Sequence, residues 1–283
     1  MTHTTLITAA ELQALQAGAT PVVLLDCSFD LADTEAGARA YAAGHLPGAI
    51  YAHLDRDLAG VKTGRNGRHP LPDRAAFAAT AGTWGVAPGV QVVAYDDMGA
   101  PYAARAWWLL RWLGHTAVAV LDGGAAAWRA AGGTLSTAAA RVRALPPYPA
   151  AAAAAMPTVD ADTLQARLHE VLILDARAGE RFRGDVEPLD PVAGHIPGAT
   201  LRFFKDNLGE SGRFKPAAQL RAEFETLMRG HVSAAVVQQC GSGVTACHNL
   251  LAMAHAGLGE TTLYPGSWSE WCSEPTRPVA RGA

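Results

Sequence analysis

Short apolar runs alternate with longer amphipathic segments along most of the chain. The apolar runs are rich in valine, leucine and isoleucine, and they lie at 22–25, 90–95, 117–121, 171–174, 235–239 and 261–264. Helical periodicity appears in the segments 101–113 and 244–257. Buried strands separated by helices are typical of βαβ units around a parallel sheet. The pattern predicts an α/β fold, with functional residues where the strands end and loops lead into helices.

The two halves of the chain repeat the same motif. GHLPGA at 44–49 returns as GHIPGA at 194–199, and the apolar runs before and after it keep the same order. Such self-similarity indicates two homologous domains. Proline and alanine dominate the sequence between the halves, which is typical of a linker. We therefore expect a first domain over 1–136, a linker over 137–156 and a second domain over 157–283.

The composition of the chain argues against nucleic-acid and membrane partners. Of 283 residues, 49% are hydrophobic and 17% are charged, which is enough apolar sequence for two cores. The 23 basic and 26 acidic residues give a net charge of −3, which argues against a nucleic-acid partner. No apolar stretch approaches the roughly 20 residues of a membrane span, and the first residues do not resemble a signal peptide. We expect a cytoplasmic protein without a membrane partner.

The cysteines and histidines predict free thiols rather than a metal site. The four cysteines form no C-x-x-C pair and are too few for a disulfide framework. The ten histidines show none of the spacings typical of zinc sites. We expect neither a metal nor a cofactor, and any one of the four thiols could act as a nucleophile.

Cys240 has the sequence context of a reactive thiol. It follows the apolar run 235–239 directly and is itself followed by Gly241 and Gly243, before the helical segment begins. Glycines let the backbone turn so that successive N–H groups face inward, and a helix N-terminus adds partial positive charge. Both effects favour a thiolate over a thiol. The alternative role, a small buried core residue, fits Cys27, Cys247 and Cys272 better.

These motifs resemble the tandem-domain rhodanese-type sulfurtransferases, and among them the 3-mercaptopyruvate sulfurtransferase branch. The resemblance rests on GHLPGA, WWLLRWLGH and LDGG in the first half, and on DAR, RFRG, GHIPG, CGSGVTA and GSWSEW in the second. It implies two rhodanese-like domains, each with a parallel sheet flanked by helices on both faces. It also implies that Cys240 takes sulfur from a small anionic donor as a persulfide. The acceptor would be cyanide or a thiol, such as thioredoxin or a small thiol. Asp96 stands at the position that matches Cys240, so the first half is expected to be inactive.

The residues after Cys240 bear on the sulfur donor. Family members that use thiosulfate carry an Arg-Lys pair there, whereas those that use mercaptopyruvate carry Gly-Ser, as in this chain. The resemblance implies that the loop residues bind the donor, and these are Gly241, Gly243, Val244 and Thr245. It also implies two arginines that hold the donor carboxylate. Arg181 matches the first, but Leu189 stands where the second is expected, which leaves Arg183 or Arg202 as candidates.

The resemblance further implies a Ser–His–Asp relay that moves a proton as the C–S bond breaks. Ser242 matches the serine, and His45, in the first half's GHLPG motif, is the candidate histidine. The acidic partner should lie about a dozen residues upstream of this histidine, where we favour Asp33 over Glu35. Because His195 occupies the same motif in the second half, the histidine could instead stabilise a turn.

Three other functions are weighed against this one. A thiosulfate:cyanide sulfurtransferase differs only in the donor. A non-catalytic rhodanese-like docking module is disfavoured because such modules often lack the cysteine. A cysteine-dependent phosphatase of the same fold would need an arginine at position 246, where this chain has Ala246.

Overall fold

Each of the six predicted apolar runs overlaps a strand, and these strands belong to two separate parallel sheets that also include shorter strands outside the runs. The structure is a computed structural model that describes residues 2–18 and 21–282. The chain divides into two compact units. Unit 1 contains the residues up to Gly60 together with Pro72–Ala155 and Glu210–Phe214, and unit 2 contains Val61–Leu71, Met156–Gly209 and the residues from Lys215 onward.

Unit 1 is built on a five-stranded parallel sheet with the strand order β1-β5-β4-β2-β3. Its strands are β1 (Leu6–Ile7), β2 (Val22–Asp26), β3 (Ala49–Tyr51), β4 (Gln91–Tyr95) and β5 (Val118–Leu121). Its helices are α1 (Ala9–Ala17), α2 (Ala36–Ala43), α3 (Leu54–Asp57), α4 (Arg74–Thr83), α5 (Pro101–Leu113) and α6 (Gly124–Ala130). The core includes Leu12, Leu24, Val93 and Trp128, all at most 5% exposed. The central strand β4 is buried along its whole length, as a sheet covered on both faces requires.

Unit 2 repeats this plan with four strands in the order β7-β6-β8-β9. The strands are β6 (Leu172–Asp175), β7 (Thr200–Leu201), β8 (Val236–Gln239) and β9 (Thr262–Leu263). The helices are α7 (Ala161–Ala166), α8 (Gly179–Arg183), α9 (Ala217–Met228), α10 (Ala246–His255) and α11 (Ser267–Trp271). A single parallel bridge from Thr158 to Leu263 takes the place that β1 has in unit 1. The four-residue strand β8 is entirely buried, and its last residue precedes Cys240.

The units differ from the domains predicted above in two ways. The predicted linker packs on unit 1: the N–H groups of Leu145 and Tyr148 donate to the carbonyl oxygens of Gly82 and Ala78. These backbone bonds give the proline- and alanine-rich segment partners that its side chains could not supply. In addition, the two halves exchange segments: Val61–Leu71 belongs to unit 2 although it lies in the first half of the sequence, and Glu210–Phe214 belongs to unit 1 although it lies in the second.

Within residues 2–18 and 21–282, no helix is long and apolar enough to cross a bilayer.

Candidate active site

Cys240 lies at the carboxyl end of β8, a central strand of the unit 2 sheet. The loop of residues 240–245 leads from this strand to α10. Val244 is buried and Thr245 is half-buried, and their carbonyl oxygens accept the N–H groups of the first turn of α10, from Cys247 and His248. The strand, the loop and the helix thus place the thiol where the sequence predicted it, at a strand end and a helix N-terminus.

Backbone N–H groups of the loop point at the Cys240 sulfur. Sγ accepts from the N–H of Ser242 at 3.4 Å and from that of Gly243 at 3.2 Å. Two such donors stabilise negative charge on sulfur. Gly243 has a φ of +76°, and a Cβ there would lie 2.3 Å from the carbonyl oxygen of Pro265. Only glycine therefore fits the loop at this position without displacing its neighbours.

In the corresponding loop of unit 1, a carboxylate accepts the backbone N–H groups. Asp96 follows β4 and is 2% exposed. Its two oxygens accept four backbone N–H groups at 2.9 Å each, from Met98, Ala100, Tyr102 and Ala103. Burial nevertheless raises the pKa of Asp96 to about 6. Backbone N–H groups of the loop thus stabilise a carboxylate in unit 1, as the corresponding N–H groups in unit 2 stabilise negative charge on the Cys240 sulfur.

The other cysteines lack this environment. Burial raises the pKa of Cys27 well above its ordinary value, and it raises that of Cys272 to about 11. Both remain neutral thiols near pH 7. Cys247 lies within α10, and its Sγ donates to the carbonyl oxygen of Gly243 at 3.3 Å. Across residues 2–18 and 21–282, no cluster of three or more His, Cys, Asp and Glu side chains is arranged to hold a metal ion.

Ser242 is paired with a histidine that the sequence analysis did not select. Its Oγ lies 2.7 Å from Nδ1 of His69, and both residues are buried. His69 belongs to the segment Val61–Leu71 of unit 2. Ser269 connects this segment to the loop of residues 240–245, because its hydroxyl accepts the N–H of Arg68 and its own N–H donates to the carbonyl of Gly241, each at 3.0 Å.

His45 and Asp33, the predicted relay partners of Ser242, have other contacts. The ring nitrogens of His45 lie 2.7 Å and 3.1 Å from the carbonyl oxygens of Tyr41 and Ala138. His195 does the same in unit 2, where Nδ1 lies 2.8 Å from the carbonyl oxygen of Phe182. Both histidines also stack on an aromatic ring at 3.9 Å, so each stabilises the turn of its GH-x-PG motif.

Asp33 is exposed and forms an ion pair with Arg39. The histidine beside Ser242 is therefore His69 and not His45. The motif GRHP at 67–70 was the available signal in the sequence. Its counterpart in the second half, Gly212-Arg213, is followed by Phe214, so the repeat does not single out a histidine.

Arg181 lies beside the loop of residues 240–245, and a second arginine accompanies it. Both oxygens of Glu187 accept from Arg181, with the shortest contact at 2.8 Å, and Asp190 accepts from its Nη2 at 3.1 Å. Asp190 also forms an ion pair with Nη1 of Arg68. Both acidic side chains are only 3% exposed. A Cβ added to Gly241 would lie 2.9 Å from Nη2 of Arg68 and 3.4 Å from Nη1 of Arg181.

The other arginine candidates have different partners. Leu189, at the position expected for the second arginine, is 44% exposed. Arg183 pairs with Asp185 at the surface, and Arg202 pairs with Glu223. The cation that joins Arg181 at the loop is therefore Arg68.

Two copies of one family model cover most of the chain. The model describes a Rhodanese-like domain and matches residues 8–131 and 160–274. The chain belongs to the rhodanese family. The predicted fold class, two rhodanese domains with parallel sheets flanked by helices, is confirmed.

Relatives in the family bear the names of sulfurtransferases. A Pseudomonas aeruginosa protein named "Probable 3-mercaptopyruvate sulfurtransferase" is 50% identical, with complete coverage (100%) of both chains. The Arabidopsis thaliana protein "Thiosulfate/3-mercaptopyruvate sulfurtransferase 2" is 32% identical, over 93% of this chain and 82% of its own. The structure of 3-mercaptopyruvate sulfurtransferase from Leishmania major matches with a TM-score of 0.83 at 30% identity, covering 94% of this chain and 74% of that one.

The predicted enzyme class is confirmed by these relatives: this rhodanese is a sulfurtransferase. The phosphatase and the non-catalytic docking module are thereby set aside.

Proposed function

We propose that this rhodanese transfers sulfur from 3-mercaptopyruvate, through a persulfide on Cys240, to a thiol or cyanide. The observation that carries the proposal is the contact between Ser242 and His69 beside a cysteine sulfur that accepts two backbone N–H groups. Such a contact supplies a proton at the atoms next to the sulfur. A donor whose leaving group is a carbanion requires a proton, whereas sulfite leaves thiosulfate without one.

The first half-reaction forms the persulfide. The Cys240 thiolate attacks the sulfur of mercaptopyruvate, and an S–S bond forms as the C–S bond breaks. The bonding electron pair leaves with the carbon as the enolate of pyruvate. One proton converts this enolate to pyruvate, and the former thiol hydrogen of the donor remains on the outer sulfur of Cys240. The two N–H groups stabilise the sulfur before attack, when its charge is greatest.

Ser242 and His69 are suited to deliver that proton. A histidine titrates near neutral pH, and its ring can pass a proton to a hydroxyl within hydrogen-bond distance. Since Ser242 is two residues from Cys240, its hydroxyl can reach a carbon bonded to the sulfur under attack. His69 takes the role that the sequence analysis gave to His45, because its ring is the one that contacts Ser242.

The second half-reaction returns the enzyme to its starting state. A thiolate such as that of thioredoxin or a small thiol attacks the outer sulfur, and the Cys240 thiolate leaves. Cyanide reacts in the same way to give thiocyanate. The proposal includes a cytoplasmic address, because Cys240 must stay reduced to accept sulfur.

Thiosulfate is the alternative donor. The Arabidopsis relative carries both donors in its name, and two guanidinium groups beside Gly241 would also attract a dianion. The neutral Gly241-Ser242 pair and the contact of Ser242 with His69 favour mercaptopyruvate.

Mass spectrometry with each donor tests the proposal. Mercaptopyruvate without an acceptor should add about 32 Da to Cys240 and release one pyruvate, and Cys240→Ser should abolish both. Cys247→Ser is the matched control and should retain both. Sulfur on another cysteine, or a persulfide formed faster with thiosulfate than with mercaptopyruvate, would contradict the proposal.

A further inference from the structure

Two guanidinium groups converge on the residue next to the nucleophile. Nη2 of Arg68 and Nη1 of Arg181 lie 2.9 Å and 3.4 Å from the point where a Cβ on Gly241 would be. Gly241 has no side chain, so both groups approach the backbone beside Cys240. A residue with a long cationic side chain at 241 would occupy the same space.

Buried acids fix the orientation of both arginines. Asp190 accepts from each of them, with Oδ1 contacting Arg68 and Oδ2 contacting Arg181. Glu187 holds the Nε–Nη2 edge of Arg181 with both of its oxygens. Nη2 of Arg68 therefore faces Gly241 while its Nη1 contacts Asp190, and both Nη atoms of Arg181 lie near Gly241, at 3.4 Å and 3.6 Å from the same Cβ position.

The two arginines remain accessible while the acids do not. The side chains of Arg68 and Arg181 are 27% and 16% exposed, against 3% for that of Asp190. A small anion arriving from solvent can therefore meet the guanidinium groups, and the acids stay behind them. Guanidinium groups bind carboxylates through parallel N–H donors, which fixes orientation as well as charge.

We propose that Arg68 and Arg181, aligned by Asp190, together bind the carboxylate of the sulfur donor at Gly241. This assignment rests on the proposed function, since it concerns the donor of that reaction. Arg68 supplies the second cation that the chain lacks at Leu189, and it does so from a different segment. The segment carries His69 as the next residue, so the group that binds the donor and the group that protonates the product are adjacent in sequence.

Alkylation of Cys240 by two related reagents tests the inference without any sulfur donor. Iodoacetate carries a carboxylate, whereas iodoacetamide is neutral and of similar size. The ratio of their rate constants at Cys240 measures how strongly the site attracts a carboxylate, and any general change in thiol reactivity cancels. Arg68→Gln should lower this ratio about tenfold, as loss of a charge-assisted hydrogen bond predicts. Arg68→Lys should lower it less.

Arg65→Gln is the matched control. Arg65 lies on the same segment and is exposed, so its removal changes the net charge equally. The ratio should stay within about twofold of the wild-type value. An equal fall in Arg65→Gln and Arg68→Gln would show a general charge effect and overturn the inference, as would an unchanged ratio in Arg68→Gln.

Kinetics with mercaptopyruvate separate the inference from the proposed function. Arg68→Gln should raise KM about tenfold with a smaller change in kcat, and the inhibition constant of the product pyruvate should rise in parallel. If the wild-type enzyme turns over mercaptopyruvate and these constants do not move, the inference is wrong and the proposed function stands. If the wild-type enzyme does not turn it over but the alkylation ratio falls, the carboxylate site stands and the proposed function is wrong.

Discussion

The Oγ atom of Ser242 and the Nδ1 atom of His69 are 2.7 Å apart, although the two residues are separated by 173 positions in the chain. Ser242 lies on the loop that bears Cys240, and His69 lies on a segment from the other half of the sequence that belongs to unit 2. A buried hydroxyl–imidazole pair of this kind can carry a proton to the sulfur donor.

Removal of this pair should slow proton delivery to the product and leave donor binding largely intact. We expect His69→Asn and Ser242→Ala each to lower kcat with mercaptopyruvate by about 100-fold, since positioned general acids contribute on that order. The double variant should be little worse than either single one, because the two groups act as a unit. Steady-state rates of pyruvate release provide the measurement.

His45→Asn is the control for the relay. It removes contacts with Tyr41 and Ala138 inside unit 1, so the melting temperature should fall while kcat changes by less than about threefold. A large loss of kcat in His45→Asn with little effect of His69→Asn would show that His45, the histidine predicted from the sequence, acts in the relay.

Leu189→Arg should add little to donor binding while Arg68 is present. Leu189 is exposed, and Asp190 beside it already binds Arg68 and Arg181. We expect Leu189→Arg to change KM for mercaptopyruvate by less than about twofold in the wild type. In an Arg68→Gln background it should recover part of the roughly tenfold loss in KM. Equal effects in both backgrounds, measured as a double-mutant cycle, would contradict this prediction.

Gly243→Ala should displace the loop of residues 240–245 and lower the reactivity of Cys240. The substitution places a Cβ 2.3 Å from the carbonyl oxygen of Pro265, so the loop must move and the N–H groups lose their contact with Cys240. Alkylation of Cys240 by iodoacetamide near neutral pH should slow by about tenfold or more. Gly230→Ala is the control, because Gly230 has a φ of +87° but nothing within 4 Å of the added Cβ. It should cost only backbone strain and leave alkylation unchanged.

Asp96 should make unit 1 less stable as the pH rises. Burial raises the pKa of this carboxyl in the folded state to about 6, from an ordinary value of 3.8. The folded state therefore binds the proton more tightly than the unfolded state, and the free energy of unfolding falls as the pH rises between these two values. In Asp96→Asn this fall in the free energy of unfolding with pH should vanish. In Asp30→Asn, which changes a surface carboxyl, it should remain. Urea unfolding across this range provides the measurement, and an identical slope in wild type and Asp96→Asn would contradict the assignment.

The sequence predicted the sheets well because their signal is local. Buried parallel strands need continuous apolar residues, so the run 117–121 appears as β5 (Val118–Leu121), one residue shorter. The short strands β1, β3 and β7 lack such a run and were not predicted. The linker was predicted less well. Its packing on unit 1 uses backbone hydrogen bonds, such as that from Leu145 to Gly82, and these leave no pattern in side-chain hydrophobicity.

The sequence predicted only part of the candidate site, because contacts between distant parts of the chain leave no local pattern. Cys240, the glycines around it and Arg181 lie on elements whose order the repeat reveals. Arg68 and His69 lie on Val61–Leu71, which belongs to unit 2 although it comes from the first half of the sequence, and hydrophobic periodicity does not reveal such an exchange. Their place depends on Gly67, where a Cβ would lie 2.7 Å from the carbonyl oxygen of Gly266 and so prevent the close approach of the two backbones.

The passage of Val61–Leu71 into unit 2 means that this protein cannot be divided at its centre into a working half and a dispensable one. A fragment beginning at Met156 would keep the nucleophile and lose the imidazole beside Ser242. The exchange runs both ways, because Glu210–Phe214 of the second half belongs to unit 1. Each unit therefore contains chain from the other half of the sequence, and we expect the two to fold properly only when they are expressed together.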